Sequence, residues 1–424
     1  MKLRISNMGR TIRIRKRLLL HKQSYRPLKV DSKPEFVELC KWMCMNGWEK
    51  VANLCPAVFN NTGRGLMALS SLSSNHLIIK IPRNLLITRQ KVLLDVPKLQ
   101  QIKMTTAECL TFYLLISKIN GLATFSSYIS TLPSSFSVGG LCESKEVEIL
   151  PSFLQEQIYC NQNYIHQKFE KIATIWQKLF NSTLTRDVFE WAWFCVNTRA
   201  VFYPDADKLN YGGLENNMAL APYLDMFNHD SEITVQAGFN TVSQCYEIRS
   251  KKQIRKYSQV FINYGPHDNA KLFIEYGFII PRNLHSSVEF SITDLLDLFH
   301  PKTNVFEKQV ALLKQISIYG NLYCSREGFS WSAQIAMTVL SSNASQIPKI
   351  CSPMDIVPNK QLIKDLGLKF IAHLMTEIED KLNIANEMHD SSASFFVAKL
   401  LLIDMIDVLE CCNLEHQHYC QSND

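Results

Sequence analysis

The stretch LAPYLDMFNHD, residues 220–230, ends an apolar run in a group of polar side chains. Within six residues stand Asp225, Asn228, His229 and Asp230. Polar groups at the end of a buried run serve as metal ligands, acid–base catalysts, a helix cap or anchors for a cofactor. The rest of the sequence has to decide among these uses.

Size and composition describe an ordinary globular protein. With 424 residues, the chain is long enough for two or three domains, and its 20 % of charged residues is typical of that class. We expect no membrane span, because no run of about 18 uncharged apolar residues occurs. We expect no secretory signal either. The 13 cysteines are an odd number without a repeated spacing, which predicts reduced thiols.

The N-terminus is strongly basic. Residues 1–17 carry seven Lys or Arg and no acid. Such a run is a solvated, disordered tail, or else a nuclear-import signal or a nucleic-acid contact. We expect residues 1–33 to form a disordered tail on a protein of the nucleus and cytosol. Nothing in the sequence requires direct nucleic-acid binding.

Strand-like and helical patterns follow one another without a regular alternation. The run KPEFVELCKWMCMNGW has helical periodicity, and HLIIKIP is typical of a buried strand. Residues 105–119 are apolar nearly all round, which predicts a buried helix. The runs QCYEIRS and QVFINYG favour strands. These patterns predict a β-rich region interrupted by helices.

From about residue 290 the pattern becomes helical. The apolar residues that recur at spacings of three and four include Leu366, Phe370, Ile371, Leu374 and Ile378. Because no strict alternation of strands and helices is present, a doubly wound nucleotide-binding fold is excluded. The run TGRGL also lacks the third glycine of a dinucleotide fingerprint.

Metal and serine-hydrolase chemistry find little support. His229 has no HxxxH or HExxH pattern around it. A Cys/His cluster near the C-terminus has no standard zinc spacing; its members are Cys411, Cys412, His416, His418 and Cys420. A GxSxG motif is absent from the sequence. We therefore expect no metal site.

Three stretches remain distinctive: NTGRGLMA (61–68), LAPYLDMFNHD (220–230) and FINYGPHDNAKLFIEYGF (261–278). Taken singly, they are explained by turn glycines, a strand end and core aromatics. In this order, together with IPRNLLIT, YISTLP and VNTRAVF, they resemble the SET-domain protein methyltransferases. The resemblance is to the class with a split SET domain, named for the plant Rubisco large-subunit methyltransferase, and it runs from about Pro34 to the end.

The resemblance implies an α+β fold. A β-rich SET domain with knot-like threading would occupy residues 34–281, with a helical insertion at about 100–215. An all-helical substrate-binding domain would follow at residues 282–424. The insertion explains why the TGRGL and NHD motifs lie so far apart in sequence.

The resemblance also implies S-adenosylmethionine as the methyl donor. The residues at the matching positions are Gly63, Arg64, Gly65, Asn228, His229, Tyr264 and Phe278. A glycine at such a position lets the backbone approach a ligand that a Cβ would block.

A second set of matching residues surrounds the methyl acceptor. Tyr264 would be the catalytic residue, with its hydroxyl beside the reacting nitrogen and the transferred methyl group. Tyr276 would form a wall of the lysine channel, where an aromatic face suits a cation. Arg199 and Asp225 would lie near the target nitrogen and place main-chain carbonyls there, and Val201 would belong to the substrate channel. A structural Arg199–Asp225 ion pair is the alternative, and the two roles can coexist.

The chain departs from the family at two positions. Thr62 stands where many relatives carry an acid, which removes a contact to the ammonium group of the donor. Val201 stands where the plant enzymes carry a bulky aromatic, so the channel is expected to be wider and the number of methyl groups added to differ.

The expected partner is a protein with a target lysine, either a histone or another protein, and we expect a monomeric enzyme. Two alternatives stay open. One sibling branch methylates a histidine of actin, but it lacks the tyrosine of EYGF that is present here as Tyr276. The other alternative is a non-catalytic protein that kept the fold as a peptide reader.

Overall fold

The computed structural model describes residues 27–204, 217–299, 304–318, 320–341, 352, 354 and 356–421. Residues 1–26 of the expected disordered tail (1–33) and nearly all of the loop at 210–217 lie outside these residues. The rest of that expected tail is described, and its Leu28 and Lys29 form a strand that pairs with Val58 and Ala57. The C-terminal helix is described to residue 421, but its side chains only to residue 414. The predicted Cys/His cluster therefore lies partly outside the described side chains.

The chain divides into two compact units. The first comprises the chain up to Phe136 together with Ile165–Gly265, and the second comprises Ser137–Tyr164 and the chain from Pro266 onward. This division follows packing within the chain, whereas the expected boundary at residue 281 concerns the domains of the family.

The first unit is rich in β-structure. Its strands are β1 (Leu28–Lys29), β2 (Leu54–Phe59), β3 (Gly63–Ala68), β4 (Leu77–Pro82), β5 (Ile87–Thr88), β6 (Val201–Phe202), β7 (Met218–Leu220), β8 (Asn228–His229), β9 (Val235–Asn240), β10 (Cys245–Ser250) and β11 (Gln259–Ile262). They form sheets of order β1-β2-β3-β11-β8, β4-β10-β9 and β5-β7-β6. The strands predicted from HLIIKIP, QCYEIRS and QVFINYG are confirmed as β4, β10 and β11.

Helices join these sheets. They are α1 (Pro34–Met45), α2 (Arg89–Asp95), α3 (Thr106–Asn120), α4 (Ser126–Ile129), α5 (Ser144–Glu148), α6 (Ser152–Phe180) and α7 (Arg186–Arg199). Of these, α5 lies in the second unit, and α6 passes from the second unit into the first. Most side chains of α3 are buried, as predicted for residues 105–119.

The β3–β11–β8 part of the first sheet brings the distant motifs together. Leu66 of β3 pairs with Val260 of β11 in antiparallel register. On the other side of β11, Asn228 and His229 of β8 pair in parallel with Phe261 and Ile262. The TGRGL and NHD motifs are therefore neighbours in space.

The second unit is largely helical, but residues 282–424 are not all-helical as expected, because they also contain a small sheet. Its further helices are α8 (Asn269–Lys271) with the π-turn Leu272–Tyr276, α9 (Ile292–Phe299), α10 (Asn304–Gln315), α11 (Trp331–Leu340), α12 (Lys360–Glu387) and α13 (Ala393–Gln421). A small antiparallel sheet of β12 (Ser287–Glu289), β13 (Tyr323–Ser325) and β14 (Gly328–Phe329) adds to them. The sheet forms because Cys324 and Phe329 contribute buried side chains to the core of the unit. The fold is α+β, as expected.

Among the described residues, no single helix has the length and hydropathy to cross a membrane. Only α3 taken together with the segment Ala123–Ile129, a pair bent by 98°, meets that length and composition.

A buried carboxylate fixes α3 to α6 inside the first unit. Glu108 accepts hydrogen bonds from Lys168 at 2.9 Å and Lys171 at 2.6 Å, and its side chain is fully buried. Burial alone would raise the pKa of Glu108. The hydrogen bonds from Lys171, Lys168 and the Thr105 backbone outweigh burial, so the pKa is lowered.

We expect Glu108→Gln to lower the free energy of unfolding by about 2 kcal/mol, less than a fully buried pair costs, because the Lys171 side chain is 40 % exposed. A lowered pKa stabilises the fold above the unfolded value of about 4.3, and this contribution is lost as the pH falls through the folded pKa. Urea unfolding from pH 7 down to pH 3 measures both effects. Glu232→Gln, at an exposed site, is the control, and an unchanged acid profile of Glu108→Gln contradicts the assignment.

Candidate active site

Asn228 of β8 holds the NTGRG loop of the first unit. Its Nδ2 donates to the carbonyl oxygens of Thr62 and Arg64, both at 3.1 Å. Thr62 adds a second link, because its hydroxyl donates to Gln259 Oε1 at 2.8 Å. Thr62, which stands where many relatives would carry an acid, therefore uses its side chain for a hydrogen bond within the protein. The NTGRG loop is held in place from β8 and β11.

The two glycines of this loop meet different constraints, one of backbone conformation and one of close packing. Gly63 has a φ of +65°, a conformation that favours glycine. A Cβ on Gly65 would lie 2.7 Å from Gln259 Nε2 and 2.9 Å from Asn228 Nδ2. The result is a cradle of backbone groups and neutral amides. Such groups fit the zwitterionic amino acid end of S-adenosylmethionine without adding a net charge.

His229 and Tyr264 form a stacked pair beside this cradle. Their ring centroids are 5.0 Å apart with an interplanar angle of 16°. The backbone N–H of Tyr264 donates to His229 Nδ1 at 3.1 Å. A neutral His229 ring must then carry its proton on Nε2. His229 is 5 % exposed. Because its imidazole is buried and accepts from the Tyr264 N–H, it fixes the backbone at Tyr264.

The hydroxyl of Tyr264 is also fixed. It donates to the carbonyl oxygen of Phe227 at 2.6 Å. Because the proton is used in that bond, the phenolic oxygen keeps its lone pairs as acceptors. An acceptor oxygen of this kind can receive CH···O contacts from a methyl group.

Arg199 and Asp225 form a buried ion pair. Arg199 Nη1 donates to the Asp225 carboxylate at 3.0 Å and to the Asp225 carbonyl oxygen at 3.0 Å. The hydroxyl of Tyr128 donates to the same carboxylate at 2.9 Å. The carboxylate is 2 % exposed, and its contacts are with protein groups. The ion pair that the sequence left open as an alternative is therefore present. A role of main-chain carbonyls near the substrate remains a prediction.

The charges in this cluster influence one another. Burial works against the charge of Arg199, but the Asp225 carboxylate outweighs burial and raises the pKa of the guanidinium. Burial and the neighbouring Asp225 charge also raise the pKa of Tyr128. Arg64 is affected in the opposite sense, because burial and the nearby Arg199 charge lower its pKa. The Arg64 guanidinium lies 5.6 Å from the Phe36 ring centroid, on the side of α1.

Val201 follows directly on the end of α7. It pairs with Ala219 across the sheet of β6 and β7 and is partly exposed. Arg199 and Val201 are thus two residues apart on one short connection. Of the predicted residues of the first unit, Gly63, Gly65, Asn228, His229 and Tyr264 lie close together, and Arg199 and Asp225 pair with each other.

The second unit contains Tyr276 and Phe278. Tyr276 packs against the His267 ring at 6.1 Å and against Phe278 at 6.2 Å between centroids. Burial, with the adjacent Glu275 charge, raises the pKa of Tyr276 to about 12. The tyrosine therefore stays neutral at physiological pH.

Tyr276 lies at the end of a π-turn, a structure that is frequent at functional sites. Gly277 then ends the turn with a φ of +79°. A Cβ on Gly277 would lie 2.7 Å from the carbonyl oxygen of Ser137. The close approach of these two backbone segments fixes the position of the chain directly after Tyr276.

A buried polar network supports the same segment. Asn269 exchanges hydrogen bonds with the backbone of Ile280 and donates to Asp404 at 2.8 Å. Asp404 also accepts from Ser286 at 2.7 Å and from Arg326 at 3.0 Å. Burial raises the pKa of Asp404, and its hydrogen bonds and the Arg326 charge only partly offset this.

Sequence reasoning missed several of these residues. Gln259 and Asp404 lie in no recognised motif, and Tyr128 begins YISTLP without a role assigned to it. The partners of all three are distant in sequence. Asn269 offered one signal, since asparagine is disfavoured inside helices unless its side chain has another task.

Residues 63–265 match the family model of the SET domain. The SET domain-containing protein 4 of Artemia parthenogenetica is 33 % identical to this chain over 318 residues, or 74 % of this chain and 80 % of that protein. The chain therefore belongs to the SET-domain family of methyltransferases, whose methyl donor is S-adenosylmethionine. The human SET domain-containing protein 4 is 28 % identical over 415 residues, 94 % of each chain.

The fold has solved counterparts. A structure of Rubisco LSMT bound to AdoMet superposes with a TM-score of 0.66 at 17 % identity and covers 92 % of this chain and 93 % of its own.

Relatives with named substrates lie further away. The ribosomal lysine N-methyltransferase set11 of Schizosaccharomyces pombe is 25 % identical and covers 85 % of this chain and 92 % of its own. The human actin-histidine N-methyltransferase is 28 % identical but covers 64 % of this chain and 47 % of its own.

We expect Asn228→Ala to weaken binding of S-adenosylmethionine by about tenfold or more, because two hydrogen bonds that hold the NTGRG loop are lost. Titration calorimetry measures the affinity. Asn240→Ala is the control, since the Asn240 side chain likewise makes two hydrogen bonds with the backbone, which it accepts in the β9–β10 turn. Equal affinities of wild type and Asn228→Ala contradict the assignment.

Gly277→Ala is expected to lower the free energy of unfolding by about 2 kcal/mol or more, because alanine is strained at this φ and meets Ser137. Chemical denaturation measures the loss. At Gly238, by contrast, a Cβ meets no atom within 4 Å, so Gly238→Ala should be tolerated. Equal stability of the two variants contradicts the backbone packing described here.

Proposed function

We propose that this protein is an S-adenosylmethionine-dependent protein-lysine N-methyltransferase. The observation that carries the proposal is the convergence of the glycine cradle, Asn228, His229 and the fixed Tyr264 hydroxyl around the β3–β11–β8 strands. Bound there, S-adenosylmethionine supplies a methyl group on a positively charged sulfur.

The glycine cradle and Asn228 hold the donor. Gly63 and Gly65 let main-chain groups reach the amino acid end, and Asn228 keeps those groups in place. The Oδ1 atom of Asn228 remains an acceptor that suits an ammonium group. Arg64 contributes through its backbone, because its carbonyl accepts from Asn228 and its side chain lies over Phe36.

The acceptor amine must be uncharged to react. A lysine side chain has a solution pKa of about 10.4, and burial next to another cation lowers this value. Asp225 does not serve as the base in this proposal, since its carboxylate is engaged by Arg199 and Tyr128. Desolvation of the lysine supplies the deprotonated amine instead.

Tyr264 aligns the reacting groups. With its hydroxyl proton bonded to Phe227, its oxygen accepts CH···O contacts from the methyl group. Alignment of this kind can supply a large part of the rate acceleration of a displacement reaction.

Lysine is favoured over histidine as the target. Tyr276 is present in the EYGF motif, where the family resemblance implies a wall of the lysine channel. The lysine-directed relative also covers more of this chain than the histidine-directed one does. The proposed substrate is a histone or another protein. We further propose a monomeric enzyme of the nucleus and cytosol. A non-catalytic reader is the competing function.

The test uses tritium-labelled S-adenosylmethionine with purified core histones and, separately, with cell extract. We expect wild type to label protein and Tyr264→Phe to label it about a hundredfold more slowly, because the methyl group loses its alignment. Tyr246→Phe is the control, since Tyr246 is buried in β10 of the same unit.

Calorimetry on the same samples separates the outcomes. Binding of S-adenosylmethionine without labelling supports the function of a non-catalytic peptide reader. If S-adenosylmethionine does not bind at all, the proposed enzyme function is wrong. Equal labelling by Tyr264→Phe and wild type overturns the role of Tyr264 alone.

A further inference from the structure

Tyr223 adopts a backbone conformation that is rare for a bulky residue. Its φ is +68° and its ψ is −40°. The N–H of Leu224 donates to the carbonyl oxygen of Pro222 at 2.8 Å, which closes a tight γ-turn around Tyr223. This form of the γ-turn is strained for an L-residue. A glycine or asparagine would adopt it at lower cost.

The surrounding protein holds Tyr223 in this strained turn. The side chain is 2 % exposed, and its ring lies 4.9 Å from the Trp48 ring between centroids. Its hydroxyl donates to the carbonyl oxygen of Leu54 at 3.0 Å, although the two residues are 169 positions apart. Strain persists only where such contacts determine the conformation, and it concentrates at functional sites.

The groups that follow the turn are those of the proposed acceptor site. The N–H of Asp225 donates to Ala221 at 3.1 Å, which places Asp225 in reach of Arg199. Phe227, four residues after Tyr223, presents the carbonyl that accepts the Tyr264 hydroxyl. A relaxed backbone at Tyr223 would change the direction of the chain before both groups.

From these contacts we infer that Tyr223 is a positioning residue of the methyltransferase site, acting through the strained γ-turn that sets the Asp225 and Phe227 carbonyls. Tyr223 touches neither donor nor substrate in this account. The inference rests on the proposed function and adds a residue to its machinery.

Three contacts anchor the turn, and one of them can be removed without changing the ring. Tyr223→Phe deletes only the hydroxyl that binds Leu54. Tyr113→Phe is the matched control, because Tyr113 is a fully buried tyrosine of the same unit whose hydroxyl donates to Asp95 at 2.8 Å. Both variants lose one hydroxyl hydrogen bond, which is buried at Tyr223 and part-buried at Tyr113.

The experiment measures three quantities for wild type and both variants: the single-turnover rate of methyl transfer, the affinity for S-adenosylmethionine by calorimetry, and the unfolding midpoint. The acceptor is core histones or the peptide that mass spectrometry identifies from labelled extract. We expect Tyr223→Phe to transfer methyl about tenfold more slowly or worse, with donor affinity unchanged, since small displacements of a site cost rate. Tyr113→Phe should lose stability and keep the rate.

The outcomes distinguish the inference from the function it rests on. A wild-type protein that transfers no methyl group overturns the proposed function. An active wild type with an equally fast Tyr223→Phe overturns the role of Tyr223. Should Tyr223→Phe not fold, Trp48→Leu removes the ring contact while leaving Tyr223 in place, and a wild-type rate in that variant also overturns the inference.

Discussion

The hydrogen bonds of the Asn228 amide are the constraint on which the site depends. They join a loop before β3 to a strand that follows the whole helical insertion. The carbonyls of Thr62 and Arg64 are thereby held against β8. The next residue of β8, His229, accepts a hydrogen bond from the backbone N–H of Tyr264. These bonds add to the pairing of β3, β11 and β8, which brings together motifs that are far apart in sequence. Together, the strand pairing and the Asn228 amide form one candidate active site.

Charge is handled differently in the two parts of the site. The donor cradle uses neutral amides and backbone groups, which suit a ligand that carries both an ammonium and a carboxylate. The ionised groups Arg199 and Asp225 are instead buried against each other and shape the chain. Burying a charge is costly unless it is paired, which explains why the two charged groups are bonded to each other. The proposed acceptor site is then formed by carbonyl oxygens.

Much of the fold followed from the sequence. The order of β-rich and helical regions, the buried helix α3 and the family were predicted, because hydrophobic period and motif order are local properties. The hydrogen bonds from Tyr128 to Asp225 and from Thr62 to Gln259 were not predicted, because the partners lie 97 and 197 residues apart. The turn at Tyr223 was equally hidden, since nothing in the sequence favours a positive φ at a tyrosine. Tertiary contacts select that conformation, and local propensity opposes it.

The central claim is that this site transfers a methyl group to lysine. The most direct measurement is chromatographic identification of the labelled amino acid after complete hydrolysis of protein that wild type has labelled. We expect radioactivity in methylated lysine. Radioactivity in methylhistidine, or none in any amino acid despite binding of S-adenosylmethionine, would contradict it.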